Sequence, residues 1–317
     1  DSKELRFHGS FMGVDDAPLL ASSPSDTMMY VISKSKNGIE TTPLCKIDRF
    51  QRYFAYYFED CSSLHLDNET GQFSYYKKDA EMTIKWDFPA YTPQALPQRE
   101  MILNKGVVYT LNSSKSHDVS ELEGAGAYFS EVQPILSFRL DEPHGSVKVS
   151  GRFPRAYAKS EKSVPDYQPY FCINGDDKCV LSFQYCDSLY FVDNDKIRAV
   201  VCKSQFYSMP QFLSFEDSES LTATRRFEAR SPMYLWITYN PVRDEYYRLF
   251  KHASENFEEA EFSVLVLDAR MNQTAEFTFD SKEYGISTLL STKEGFTMLN
   301  MKESKLKNKY CFENFGV

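Results

Sequence analysis

The chain has 317 residues, of which 42% are hydrophobic, 26% charged and 15% aromatic, with 21 Tyr and 25 Phe; this is ample for a sizeable core, and so many rings favour pleated surfaces. A formal charge of −9 opposes any general attraction to phosphate backbones, so nucleic acid is not an expected partner. No apolar run approaches the roughly 18 residues of a membrane-spanning helix, and seven cysteines, an odd number over a long chain, do not describe a dense disulfide framework.

In chain order, the start "DSKELRFHGS" lacks the apolar core of a signal peptide, which leaves open a leader or a lipid-bearing cysteine ahead of residue 1. From Met28 onward one unit recurs: a short run of alternating apolar or aromatic residues, a turn rich in Asp, Asn, Gly or Lys, then a second run, which is the signature of a β-hairpin. It appears in "MMYVISKSKNGIETTPLCKI", "FAYYFEDCSSLHLDNETGQFSYYKK", "GVVYTLNSSKSHDV" and "PILSFRLDEPHGSVKVSGRF", and then in "CVLSFQYCDSLYFVDNDKIRAVVCKS", "WITYNPVRDEYYRLF", "EFSVLVLDARMNQTAEFTF" and "GFTMLNMKESKLKNKYCF". The Pro-rich "PAYTPQALPQ" reads as an extended linker or a face loop. Only "DVSELEGAGAYFSE" and "DSESLTATRRFEAR" carry capping-type starts, and both are expected to be short helices or loops.

Sheet edges in a chain of hairpins must be hidden in a sandwich, a closed barrel or radially repeated sheets. At ~40–50 residues per four-stranded sheet the length suits an all-β fold, a β-propeller of about six or seven four-stranded antiparallel blades, in a single domain over residues 1–317. With only Trp86 and Trp236 present and no regular Trp-Asp dipeptide, a WD-repeat array is excluded. Within "WITYNPVRDEYYRLF", Trp236 and Thr238 are expected on one sheet face and Ile237 and Tyr239 on the other, with Arg248 free to stack on a ring of a neighbouring strand.

Chemistry is sparse. A loop centred on Gly175 and Asp176 would set Ile173 opposite Lys178 and Cys172 opposite Cys179, so the two cysteines are either a disulfide across a hairpin or two free thiols. No second Cys or His pair sits at zinc spacing, and no metal or cofactor is expected. The five histidines, His8, His65, His117, His144 and His252, are single, with His117 and His144 in turns. "GDDK" and "VDNDK" resemble fragments of calcium loops and read as Asp/Asn turns. The basic patch of Arg225, Arg226 and Arg230 also holds Glu228 and reads as a solvated face. Glu258, Glu259 and Glu261 are acidic enough for glycoside chemistry, but nothing selects a pair among 45 acidic residues. Sequons at Asn68, Asn112 and Asn272 occur at about chance frequency. Nucleophile elbow, Walker loop, Gly-x-Gly-x-x-Gly and His-Glu-x-x-His motifs are absent.

The stretches "YNPVRDEYYRLF", "VLSFQYCDSLYFVD" and "LLSTKEGFTMLN" resemble an uncharacterised Bacteroidetes family of TolB-like β-propeller proteins, best over Pro134 to Asn300. Many members of that family are exported lipoproteins, so the resemblance implies the fold, an extracytoplasmic address in periplasm or outer membrane, and a tether, if any, through a lipid outside this chain. It implies no catalytic residues. Two functions follow as expectations: a monomeric, non-enzymatic binding or scaffold protein for a protein or glycan of the cell envelope, or a carbohydrate-active hydrolase or lyase with carboxylates in a central pocket.

Overall fold

The structure is a computed structural model. It describes residues 101–316 apart from 115–118, 194–195, 257–258 and 308–310, and, before residue 101, the segments 6–7, 19–23, 28–35, 38–46, 54–57, 63–67, 69–76, 84–88 and 90–96, with side chains from residue 63 onward except at 84, 286–288 and 290.

Among the described residues the strands make six antiparallel sheets in chain order. The first holds β1 (Arg6–Phe7), β2 (Leu19–Ser23), β3 (Met28–Ser35) and β4 (Gly38–Lys46), and the second β5 (Phe54–Tyr57), β6 (Ser63–Asp67), β7 (Gln72–Tyr76) and β8 (Ile84–Trp86). The third has β9 (Thr92–Gln94) and β10 (Ile102–Asn104) sharing one edge of β11 (Val107–Ser113), then β12 (Ile135–Arg139) and β13 (Lys148–Ser150). The fourth holds β14 (Tyr170–Ile173), β15 (Cys179–Ser182), β16 (Ser188–Asp193) and β17 (Lys196–Val201). The fifth holds β18 (Met233–Asn240), β19 (Glu245–Lys251), β20 (Glu261–Leu267) and β21 (Gln273–Asp280), and the sixth β22 (Tyr284–Thr292), β23 (Gly295–Asn300) and β24 (Phe312–Gly316). Helices are few: α1 (Leu122–Glu131), α2 (Arg155–Ala158), α3 (Phe215–Ser218), α4 (Leu221–Arg230) and α5 (Met301–Lys307).

From the second sheet to the sixth, consecutive sheets pack face to face, because alternating side chains give each strand two apolar faces to cover. Phe73 and Trp86 of the second sheet meet Phe138 of the third at ring separations of 5.0 and 5.9 Å. Ile173, Cys179 and Leu181 join Leu111 and Ile135 in the layer between third and fourth sheets. On the opposite face of the fourth sheet, Tyr170, Cys172, Val180 and Phe191 pack with Ile237, Tyr239 and Tyr246 of the fifth. Phe296 of the sixth sheet touches Tyr247 and Phe277 of the fifth at 5.3 and 5.7 Å. Burying each such ring stabilises the fold by about 1.5–3 kcal/mol, which explains the aromatic content without any ligand. The first strands of successive sheets are neighbours, β10 with β14, β14 with β18 and β18 with β22, so they form the inner rank of a propeller-like, all-β arrangement.

An asparagine ends the inner strand of three consecutive sheets and reaches into the next. Asn104 Nδ2 donates to Asp177 Oδ1 at 2.9 Å, beside the Lys105–Asp177 ion pair at 2.8 Å. Asn174 Nδ2 donates to Tyr246 Oη at 3.0 Å, and the buried Asn240 Nδ2 to the Thr292 and Gly295 carbonyls at 2.8 and 3.2 Å. These clasps gather the turns after each first strand at one end. The helices lie in the connections of the opposite end: α1 between second and third strands of its sheet, and α2, α3 and α4 in the crossings from a last strand to the next first strand.

The structure corrects several readings. Cys172 pairs across the ladder with Val180, and Cys179 with Ile173. The loop has three residues, closed by Asn174 N–H to the Lys178 carbonyl at 3.0 Å, with Asp177 at φ 62°. That odd loop shifts the register by one residue, so the two sulfurs lie on opposite sheet faces, both cysteines are free, and no disulfide joins them. "GVVYTLNSSKSHDV" is no hairpin of its own; β11 pairs with β12 across the inserted α1. Thr92–Gln94 of the proline-rich stretch is a strand on β11, and "MKESKLK" is α5. The faces of β18 are as expected, with Ile237 and Tyr239 towards the fourth sheet and Trp236 in the opposite layer.

Candidate groove at the helix-bearing end

α4 begins where Ser220 caps it, the side chain accepting from Ala223 N–H at 3.3 Å. It ends on a buried cation: Lys251 Nζ donates to the carbonyls of Ala229, Ser231 and His252 at 2.7, 2.9 and 2.9 Å, satisfying carbonyls at the negative end of the helix dipole. Burial pushes the Lys251 amine down to about 8, with Glu228 acting in the opposite direction. The buried face of α4 presents Phe227, whose ring meets Tyr185 at 5.5 Å and Phe212 at 6.3 Å. Spacing of three and four along the helix brings Thr222, Ala223, Arg226 and Arg230 to one side.

That side borders a cavity of about 570 Å³, walled opposite by residues of the 208–213 segment, with Leu213, Phe227 and Pro232 among its apolar lining. The volume lies within the ~300–1,000 Å³ typical of small-ligand sites. Two large apolar side chains flank the lining, Met209 at 50% and Leu221 at 65% exposure. Arg226 is exposed and, among the described residues, has no hydrogen-bonded or ionic partner. Arg230 is held by Glu255, its Nε donating to Oε2 at 2.9 Å with Nη2 on the same oxygen. Glu228 turns away from this side; burial raises its carboxyl above the usual range, and Asp166 adds to the rise. Sequence reading took the arginine patch for a solvated face: the side chains are exposed, and the missed element was the wall formed by a segment a dozen residues upstream.

Arg248 belongs to the core. It is fully buried, its Nε donating to Ser182 Oγ at 2.9 Å and its terminal nitrogens to the carbonyls of Cys186, Cys202 and Asp187 at 2.7, 2.8 and 3.2 Å. The expected stacking on a neighbouring ring is present, on Tyr234, but inside the protein and as part of a structural knot between fourth and fifth sheets.

The remaining candidates do not converge. His65 is buried with Nε2 2.8 Å from Ser63 Oγ, and His144 is exposed beside Phe88. His252 Nε2 lies 2.7 Å from Ser263 Oγ and its Nδ1 3.6 Å from Glu261, a Ser-His-Glu sequence of contacts. Ser263 is fully buried, however, and no substrate atom can reach its hydroxyl. The acidic turns are neutralised locally: Asp177 by Lys105, Asp176 by Lys178 at 3.5 Å, and Asp193 by Lys178 at 3.8 Å. Glu259 pairs with Lys282 at 3.4 Å. Asn112 is buried and donates to the Gln133 carbonyl, and Asn272 donates to Asp268. His8, Asn68, His117, Asp118 and Glu258, and the centre of "VDNDK", lie outside the described residues. Among the described residues no three His, Cys, Asp or Glu side chains come together as a metal centre would need, and no helix is long and apolar enough to cross a membrane.

No protein-family model and no curated protein matches the chain. Among solved structures it is similar to a member of the DUF4221 family from Bacteroides vulgatus, at 17% identity over 100% of this chain and 94% of that one, with a TM-score of 0.74. Weaker likenesses include an oligogalacturonate lyase from Vibrio parahaemolyticus (10% identity, 94% and 71% covered, TM-score 0.48) and virginiamycin B lyase from Staphylococcus aureus (10%, 99% and 89%, TM-score 0.41). These two say nothing of this chain's chemistry. The first establishes a shared fold and fits the resemblance to an uncharacterised Bacteroidetes family.

Proposed function

We propose that this protein is a non-enzymatic binding module, its sheets the blades of one ring and its ligand received at the helix-bearing end in the groove beside α4. The observation that carries the reading is the composition of the inner rank. Ile102 to Asn104, Tyr170 to Ile173, Met233 to Asn240 and Tyr284 to Thr292 contain no Asp or Glu. Glycoside hydrolysis and related chemistry draw on carboxylates facing a central pocket, and among the described residues these four inner strands supply none, so the enzymatic alternative has no foothold on them. The groove offers what a binding site needs instead: concavity, apolar surface and a few polar groups.

The address is part of the same proposal. Resemblance over Pro134 to Asn300 to a family rich in exported lipoproteins supports an extracytoplasmic address; with it we propose a monomer that recognises a protein or glycan of the cell envelope. Purified protein screened on glycan and peptide arrays, beside an Ala223→Trp variant that fills the groove, tests it. The expected result is a defined set of hits lost in the variant and no reducing-end product released from polysaccharides. Turnover of any glycan, or hits untouched by the variant, overturns it.

A further inference from the structure

We propose that the groove beside α4 recognises an organic anion, a carboxylate or phosphate carried on an apolar body, with Arg226 as its anchor and Arg230 as a second arm. This rests on the reading of the groove as the binding site and names the chemistry it selects. The chain carries 45 acidic against 36 basic residues; Arg139 is held by Asp141, Arg243 by Glu245 and Arg248 by carbonyls, whereas the guanidinium groups of Arg152, Arg155, Arg225, Arg226 and Arg270 are exposed with no hydrogen bond or ion pair among the described residues. What sets Arg226 apart from these is its place on the wall of the cavity, which it shares with Arg230 and no other arginine among the described residues. A guanidinium offers a planar fork that fits carboxylate and phosphate oxygens with two parallel hydrogen bonds.

One helical turn further on, Arg230 is occupied by Glu255, in a pair whose side chains are 54% and 81% exposed. Exposed pairs of this kind are weak and screened, so a ligand anion held by Arg226 can take over Arg230 from Glu255. The same cavity has an apolar lining that includes Leu213, Phe227 and Pro232. A wholly polar anion would leave that surface uncovered, whereas an apolar body carrying one anionic head covers it and reaches Arg226.

Three probes of one shape separate the terms: 2-naphthoate, 2-naphthyl phosphate and the neutral 2-naphthamide. Phenylglyoxal modification of arginines, read residue by residue by mass spectrometry, locates binding, and calorimetry measures it. Arg226 is expected to be modified in the free protein and shielded by either anion but not by the amide. Arg226→Gln is expected to weaken anion binding roughly tenfold, with unchanged far-UV circular dichroism, while Glu255→Gln strengthens it by freeing Arg230. Whichever anion binds more tightly identifies the head group. Equal shielding by the amide would overturn the anion preference while leaving the groove as a binding site. Absence of shielding by all three at about 10 mM, far above the concentrations at which useful sites fill, would overturn the inference, and the array screen then judges the groove on its own.

Discussion

The guanidinium carbon of Arg248 lies 3.3 Å from the centre of the Tyr234 ring. Both residues are fully buried, and among the described residues the cation has no carboxylate partner; its hydrogen bonds go to backbone carbonyls and Ser182. Burial lowers the affinity of Arg248 for its proton, and Tyr234 is the first of the groups that offset this. The guanidinium stays charged because its intrinsic pKa is so high, and the ring face supplies part of the electrostatic environment that water would otherwise give.

Arg248→Met keeps the volume and strips the donors. Several carbonyls are then buried without partners, so a loss of about 3–5 kcal/mol is expected. Urea unfolding followed by fluorescence measures it. A loss below about 1 kcal/mol would show that water replaces the guanidinium at little cost.

Lys251 gives a pH signature. Its native pKa of about 8 lies below the value near 10.5 of the unfolded chain. Between those values the unfolded state binds a proton that the native state does not, so stability rises with pH across the window, by about 1–3 kcal/mol. Above pH 10 buried tyrosines act in the opposite sense: Tyr234, pushed up to about 12 by burial, keeps its proton after the unfolded chain has lost it, and stability falls. Unfolding measured from pH 7.5 to 11 should show the rise in the wild type and its absence in Lys251→Met.

Hairpin spacing was readable in the sequence because strands alternate with period two and their turns carry Asp, Asn and Gly; the helices at 122–131 and 221–230 were readable from their flanking acids and serines. Register was not. The step from Cys172 opposite Cys179 to Cys172 opposite Val180 depends on whether Asp177 adopts φ 62°, and non-glycine residues enter that region for local reasons that composition does not reveal. Arg248 among aromatics reads the same inside or outside. The groove was invisible because it exists only once the 208–213 segment folds back against α4, a contact between residues with no shared pattern.

The cysteines make that register testable. Both thiols are driven upwards by burial, so native protein should resist iodoacetamide at Cys172 and Cys179 and label fully in urea. Dithiothreitol should leave the melting temperature unchanged. A bridge would contribute about 2–4 kcal/mol and reveal itself as a drop on reduction.

The asparagine clasps differ in burial and should differ in worth. Asn240 is fully buried, and Asn240→Ala leaves the Thr292 and Gly295 carbonyls to find other donors; about 2–4 kcal/mol should be lost. Asp177→Asn acts on an exposed contact and should change stability by less than about 1 kcal/mol. Equal effects would mean that the sheets are not joined through Asn240.

Hydrogen–deuterium exchange with and without a ligand from the array screen asks most directly where this molecule meets its partner. The account predicts slowed exchange in 208–213 and 221–230 with the inner strands unchanged; slowing confined to Tyr170–Ile173 and Met233–Asn240 would place the ligand on the axis and contradict it.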